Sequence, residues 1–233
     1  MRITLLLGIL ATTALAEQPL PLKTTFQGTA KFQAVAAKAQ RENWRALPIG
    51  DRMAKIGLEL KGTPYRGFTL EIHDRVESPS ANFNGQDCWT FFEICLGMAR
   101  MLETPKKTYT PGDLLDQIEW TRYRGGQCRG NYLDRIHYLA EWYIDNDKRK
   151  TVVDITRRFP TQRMPPQCGE MTRLWKHYRH LKMNPELRAG IAQHEQRINK
   201  PAVFMFPKDK VAGLEPKQQH GDLIRIARPH NAS

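Results

Sequence analysis

Cysteine is scarce in this chain: four residues, Cys88, Cys95, Cys128 and Cys168, in 233. That is too few for a fold built on disulfides. No CxxC pair and no His/Cys spacing of a zinc site is found, so neither a metal nor any other cofactor is expected. Long hydrophobic runs are missing after residue 16, which excludes an ordinary helical membrane protein. Repeats and low-complexity blocks are also missing, which excludes solenoid and array architectures. Acidic residues are in deficit, 24 Asp and Glu against 36 Lys and Arg, for a net charge of +12.

What is present begins with residues 1–16, MRITLLLGILATTALA: one basic residue, a short apolar stretch and an Ala14-Leu15-Ala16 ending. This is the pattern of a secretory signal peptide cleaved before Glu17, and it places the mature protein in the periplasm or outside the cell. An exported protein rarely meets nucleic acid, so nucleic acid is not an expected partner. The basic excess reads either as attraction to an anionic envelope surface or polymer, or as a solubilising surface. With 40% hydrophobic residues the remainder, 17–233, is long enough and apolar enough for one domain.

Periodicity places helices near Thr29–Arg45, Gly50–Leu60, from Cys88, from Pro111, over Tyr132–Tyr143, Met171–Leu181 and Pro185–Asn199. Strand candidates are GFTLEIH (67–73), TVVDIT (151–156), AVFMF (202–206) and DLIRIA (222–227). The fold class is α+β.

The stretch NGQDCWTFFEICLGMAR (84–100) carries the chemistry. From Cys88, the residues Phe91, Phe92, Cys95, Leu96 and Ala99 recur with a helical period, so Cys88 stands where a helix begins. Unpaired backbone N–H groups and the positive end of the helix dipole favour a thiolate there, and Asp87 is placed to cap. That geometry suits a nucleophile whose acyl-transfer oxyanion a backbone N–H can hold. The same apolar face equally suits a buried structural cysteine. A Cys88–Cys95 disulfide is excluded, because seven helical residues separate the Cα atoms by roughly 10 Å. If any pair is bonded, the loop-like contexts of Cys128 and Cys168 favour those two.

The blocks GTPY (62–65), DCWTF (87–91) and GDLI (221–224) resemble, in order, those of the NlpC-type papain-like cell-wall hydrolases. KGTPYRGFTLE, DCWTFFE, RYRGG, DRIHYLAEW and QHGDLIRI together resemble the N-acetylmuramoyl-L-alanine amidase-like branch of that superfamily. The resemblance runs from about Lys55 to Ala227. It implies a papain-like core, with the cysteine-bearing helix packed on an antiparallel sheet and additional helices around it. It also implies hydrolysis of the amide between N-acetylmuramic acid and L-alanine in peptidoglycan or its muropeptide fragments. By the same resemblance Cys88 is the nucleophile and Tyr65 lines the site. Arg122, Arg124, Gly125 and Gly126 of RYRGG match a loop able to approach a muropeptide carboxylate. His137 matches a family histidine, although its helical spacing reads as core-facing. Where the family has an apolar strand ahead of the D-C block, this chain has RVESPSANFNG. Stem-peptide endopeptidase activity, or wall binding without catalysis, are the competing readings.

A cysteine hydrolase needs a base, almost always histidine. His177 and His180 share a basic helix face, and His194 lies in a charged stretch. In the family the base follows the G-D-L block on a later strand. Only His230 follows that block here, nine residues after Gly221, and the sequence ends three residues later. His230 is therefore the base this sequence offers. The domain is expected to be cut short at its C-terminus, with little or no activity.

Overall fold

The apolar period starting at Cys88 becomes a helix enclosed by other helices. The computed structural model describes residues 19–164 and 168–226. The sequence calls on residues 1–16 and on His230 lie outside them. In chain order the helices are α1 (Leu22–Thr25), α2 (Thr29–Arg41), α3 (Ile49–Glu59), α4 (Cys88–Met101), α5 (Pro111–Arg122) and α6 (Leu139–Lys148). They continue as α7 (Glu170–Arg173), α8 (Arg179–Met183) and α9 (Leu187–Ile198). The strands are β1 (Phe26–Gln27), β2 (Ala81–Asn82), β3 (Gln162–Met164) and β4 (Val203–Met205).

Two local devices start the central helices. Asp87 caps α4: its side chain accepts from the Thr90 N–H at 2.8 Å, and the Thr90 hydroxyl accepts from the Asp87 N–H at 3.0 Å. Thr110 and Asp113 form the same reciprocal pair ahead of α5, with Pro111 at the first helical position. Between α4 and α5, Gly97 permits close approach: a Cβ there would stand 2.9 Å from Leu114 Cδ1. Ile56 of α3, Ile94 and Met98 of α4, Leu114 and Ile118 of α5 and Trp142 of α6 are all fully buried together. Phe26, Phe32 and Phe83 pack edge-on or tilted at 5.3–5.8 Å on one side of this core. A smaller core gathers Tyr132, Met171, Leu181 and Ile191.

The α+β class holds, but the sheets are small. β1 pairs parallel with β2 (Phe26 with Ala81), and β3 pairs antiparallel with β4 (Gln162 with Met205). Among the described residues, no antiparallel sheet underlies α4, which packs between α3 and α5 instead. The reason lies in α4 itself. Residues from Thr90 to Met101 are buried on nearly every side, the pattern of a helix in the middle of a bundle.

Three strand expectations are replaced by turns. In 67–73, Phe68 adopts a left-handed φ of 61°, and the Glu71 N–H bonds back to its carbonyl. In 151–156, the Asp154 carboxylate accepts from the Thr156 N–H at 2.8 Å, a local bond that competes with a ladder. In 222–226, Ile224 and Ile226 are 66% and 86% exposed, so the alternation has no face to cover. AVFMF does form a strand. The expected helix over 132–143 divides: Asn131 caps a single turn at Tyr132–Asp134, Arg135 is extended, and α6 begins at Leu139. The Met171–Leu181 stretch likewise divides into α7, one 3-10 turn and α8.

Charged pairs hold the irregular loop before α4 where a strand was expected. Arg122, 1% exposed, donates to Glu93 Oε2 at 2.7 Å and to the Ser80 carbonyl at 2.8 Å. Tyr123 donates to Glu77 at 2.9 Å, and Arg135 donates to Glu71 at 2.6 Å. His180 pairs through Nδ1 with Glu71 and through Nε2 with the His73 carbonyl, and it stacks on Tyr132. Burial opposes the Glu71 charge, but the bonds from His180 and Arg135 outweigh it and bring the carboxyl down to about 2.

Arg122→Met leaves Glu93 buried without its cation. The expected loss is about 3–5 kcal/mol in urea unfolding, largely recovered when Glu93→Leu is added.

Candidate active site

The first turn of α4 opens into a cleft of about 780 Å³. Its walls come from α3 (Met53, Gly57), from Gly62–Tyr65, from Gln86–Cys88 with Phe91, and from His220–Leu223. All three blocks GTPY, DCWTF and GDLI therefore meet in one place, though about 130 residues separate the second from the third. The alignment of the first two is set by backbone pairing. Tyr65 and Gln86 form a parallel bridge, with Gln86 N–H to the Pro64 carbonyl and Arg66 N–H to the Gln86 carbonyl, each at 3.0 Å.

The third block is brought in by two glycines. A Cβ on Gly50 would lie 1.9 Å from the His220 carbonyl oxygen, and one on Gly221 would lie 2.4 Å from the Gly50 Cα. Gly221 also has a φ of +86°. Only with both glycines can the His220–Leu223 backbone lie directly on the start of α3.

Cys88 is solvent-exposed at the first helical position, with Asp87 capping behind it. Helix geometry leaves the first-turn N–H groups without intrahelical acceptors. Asp87 takes that of Thr90, so those of Cys88 and Trp89 face the cleft end of the helix. The apolar-face reading of Cys88 is thus corrected: the buried thiol is Cys95, one helical stretch on. All four cysteines are free, so the Cys128–Cys168 bridge is not formed. Burial pushes the Cys95 thiol up to about 12, and those of Cys128 and Cys168 up to about 11.

Tyr65 shares the cleft with Cys88 and is 76% exposed at its rim. The other expected binding residues do not reach it. Arg122 is enclosed by Glu93 and Ser80. Arg124 grips the Glu141 carboxylate with two bonds of 2.6 Å and also donates to the Leu133 carbonyl. Gly125 and Gly126, at φ +64° and +78°, make the turn that follows α5, with Gly126 against the Trp120 ring. His137 is in no helix: it is an imidazole packed on Tyr132, its Nε2 at 3.0 Å from the Tyr132 carbonyl. Burial, with Arg135 and Arg124 nearby, holds its protonation well below the ordinary histidine range. RYRGG and DRIHY thus build the clamp behind the site.

The sequence reading passed over three residues. His220 lines the cleft, with its Nδ1 2.8 Å from Asp51 Oδ1. Gln86 lies in the wall beside Cys88. His220 stands immediately before Gly221, on the opposite side of that glycine from the place the family order gives the base. Asp51 follows Gly50, the other half of the glycine contact. Among the described residues, no group of three or more His, Cys, Asp and Glu side chains is arranged to hold a metal ion. Nor is any helix among them long and apolar enough to cross a membrane.

Comparison with known proteins agrees with this geometry. Two crystal structures of an N-acetylmuramoyl-L-alanine amidase from Bacteroides uniformis are similar, at 27% and 26% identity and TM-scores of 0.62 and 0.58. Each is matched over 70% of this chain and 66% of its own. A Bacteroides fragilis protein described as a candidate xylanase is similar at 31% identity and TM-score 0.58, over 66% of this chain and 65% of its own. The chain thus spans just under two thirds of the length of these solved structures. Among curated proteins none matches. The model of the N-acetylmuramoyl-L-alanine amidase-like family, AmiA-like, matches residues 55–232, which include every wall of the cleft except its α3 residues Met53 and Ala54, and to that family the chain belongs.

Proposed function

We propose that the protein is a cysteine amidase that cleaves the bond between N-acetylmuramic acid and L-alanine in peptidoglycan or its released fragments. The observation that carries this is an exposed thiol at a capped helix N-terminus, in the cleft where the three motif blocks converge. The meeting of those blocks also supports the NlpC-type papain-like placement. The substrate lies outside the cytoplasm, in line with residues 1–16 acting as an export signal.

In the reaction, the base takes the Cys88 proton and Sγ attacks the lactyl carbonyl carbon while the first-turn N–H groups hold the oxyanion. The C–N bond breaks, and the amine of L-alanine leaves with a proton from the base. Water then hydrolyses the thioester, releasing the carboxylate and restoring the thiol. The base is a histidine of the C-terminal segment. His230 has the place that the motif order implies, and His220 has the observed contact with Asp51.

Thiol labelling tests the nucleophile directly. Iodoacetamide at neutral pH is expected to modify Cys88 at least about 100-fold faster than the other three cysteines, by peptide mass mapping. Cys88 inert until denaturation would favour a non-catalytic wall-binding protein.

In an active, full-length form, Cys88→Ala is expected to abolish release of peptide from muramoyl-peptide fragments while changing stability by no more than about 1 kcal/mol. Cys95→Ala should keep the activity. Equal loss in both through unfolding would remove the assignment.

His220→Ala and His230→Ala separate the two bases: the variant that loses turnover while Cys88 stays reactive identifies the proton acceptor. Unchanged turnover in both would exclude both.

A further inference from the structure

Gln86 stands two residues before Cys88 and is 5% exposed, yet neither its Nε2 nor its Oε1 has a hydrogen-bond partner in the protein. Several other buried polar atoms without partners, those of Glu93, Arg122, Trp89 and Trp142 among them, are of a different kind, while the Thr69 hydroxyl is a smaller group of the same kind outside the cleft. Those of Glu93 and Arg122 belong to groups whose remaining atoms are bonded, and those of Trp89 and Trp142 are single indole N–H groups. Gln86 carries a whole carboxamide, donor and acceptor together, on a residue of the cleft wall. A buried amide without a partner costs stability, and an apolar side chain of the same shape would cost less. Backbone pairing to Pro64 and Arg66 on one side, and the Asp87–Thr90 cap on the other, prevent the main chain from turning the group outward.

We propose that Gln86 is a positioning and specificity residue, its carboxamide pairing with a secondary amide of the substrate beside Cys88. This deepens the amidase reading and rests on it for the choice of substrate class. The chemistry of the partner follows from the two unmet needs. Nε2 requires an acceptor and Oε1 a donor, and a single –CO–NH– group supplies both. A carboxylate would satisfy Nε2 alone and set its charge against Oε1, an ammonium would satisfy Oε1 alone, and an ester lacks the N–H. A site with buried polar groups rejects analogues that leave them unpaired. The amide is the acetamido group of the sugar, the scissile amide itself or a peptide unit next to it.

The test uses the full chain carrying Cys88→Ala, so that it measures binding and not turnover. Calorimetric titration compares this protein with the Cys88→Ala/Gln86→Met double variant. The probes are N-acetylmuramoyl-L-alanyl-D-isoglutamine, N-acetylmuramic acid alone, L-alanyl-D-isoglutamine alone, and a depsi analogue with an ester in place of the muramoyl–alanine amide. Gln86→Met keeps the length of the side chain and removes both polar atoms. The expected result is a ten- to hundredfold weaker affinity for the amide-bearing probe. The unfolding midpoint should be unchanged or higher. Whichever half-molecule shows the same loss identifies the amide that is read, and if that amide is the scissile one, the variant stops distinguishing it from the ester. Equal affinity of the two proteins, no binding of the muramoyl dipeptide by the Cys88→Ala protein, or a lowered unfolding midpoint in the double variant would each overturn the proposal. A failed nucleophile assignment would leave the binding result standing, because neither protein contains the thiol.

Discussion

The position at which α4 starts, relative to the core that encloses it, governs the rest of the molecule. From Thr90 to Met101 the helix has almost no free face, so only its first turn can meet solvent. The Asp87–Thr90 pair fixes that start to a single residue. Beginning one residue later would put Trp89 in the exposed place and turn the thiol out of the helix. Enclosure has a second consequence at Glu93, which is fully buried on the same helix and requires a cation. Arg122 at the end of α5 supplies it, and its Nη1 holds Ser80 in the loop leading back to the cap. The helix end, the charge inside it and the loop before it are thus one mechanical unit.

Two unlike solutions complete the cleft around that unit. On one side a loop without strand pairing is held by ionic bonds: Glu71 and Glu77 to Arg135, and Glu71 to His180. Ionic bonds of this kind are directional and leave the loop's outer surface free to vary. On the other side a distant segment is held by backbone contact at Gly50 and Gly221, where no side chain intervenes. The first arrangement tolerates changes in loop sequence as long as the charges remain. The second tolerates no side chain at either glycine.

Much of this was legible in the sequence, and the misses have identifiable causes. The Cys88 helix and its cap followed from local rules, helical period and cap chemistry, whereas the three motif blocks were visible only through their resemblance to a family pattern. The burial of Arg122 was not legible, because an arginine in a basic Gly-rich loop looks solvated until its partner, Glu93, is known to be inside. Phe91 and Cys88 were read as part of a buried stripe, but the first turn projects beyond the neighbouring helices, and there the stripe is exposed. The strand expectations failed where a short polar side chain, Asp154, or a left-handed residue, Phe68, made a local turn that period-2 patterning cannot register. His220 and Asp51 lie 169 positions apart, and nothing local to either foretells the other.

Each internal pair, Arg122–Glu93, Arg124–Glu141 and Arg135–Glu71, removes one charge of each sign. Such pairing leaves the basic excess of the sequence unconsumed. Part of it flanks the β3–β4 strand pair, where Arg157, Arg158, Lys208, Lys210 and Lys217 are exposed. There Arg157 lies 4.8 Å over Phe204 and Lys217 6.0 Å over Phe159, contacts that orient a cation without neutralising it. Such a field raises the local concentration of anionic material, but salt screens it within about 8 Å at physiological ionic strength. It can bring a polymer to the surface; it cannot choose a bond. Selecting a bond would require short-range groups, and those at the first turn of α4 in this cleft are the exposed Cys88 thiol, the capping Asp87 and the neighbouring Gln86.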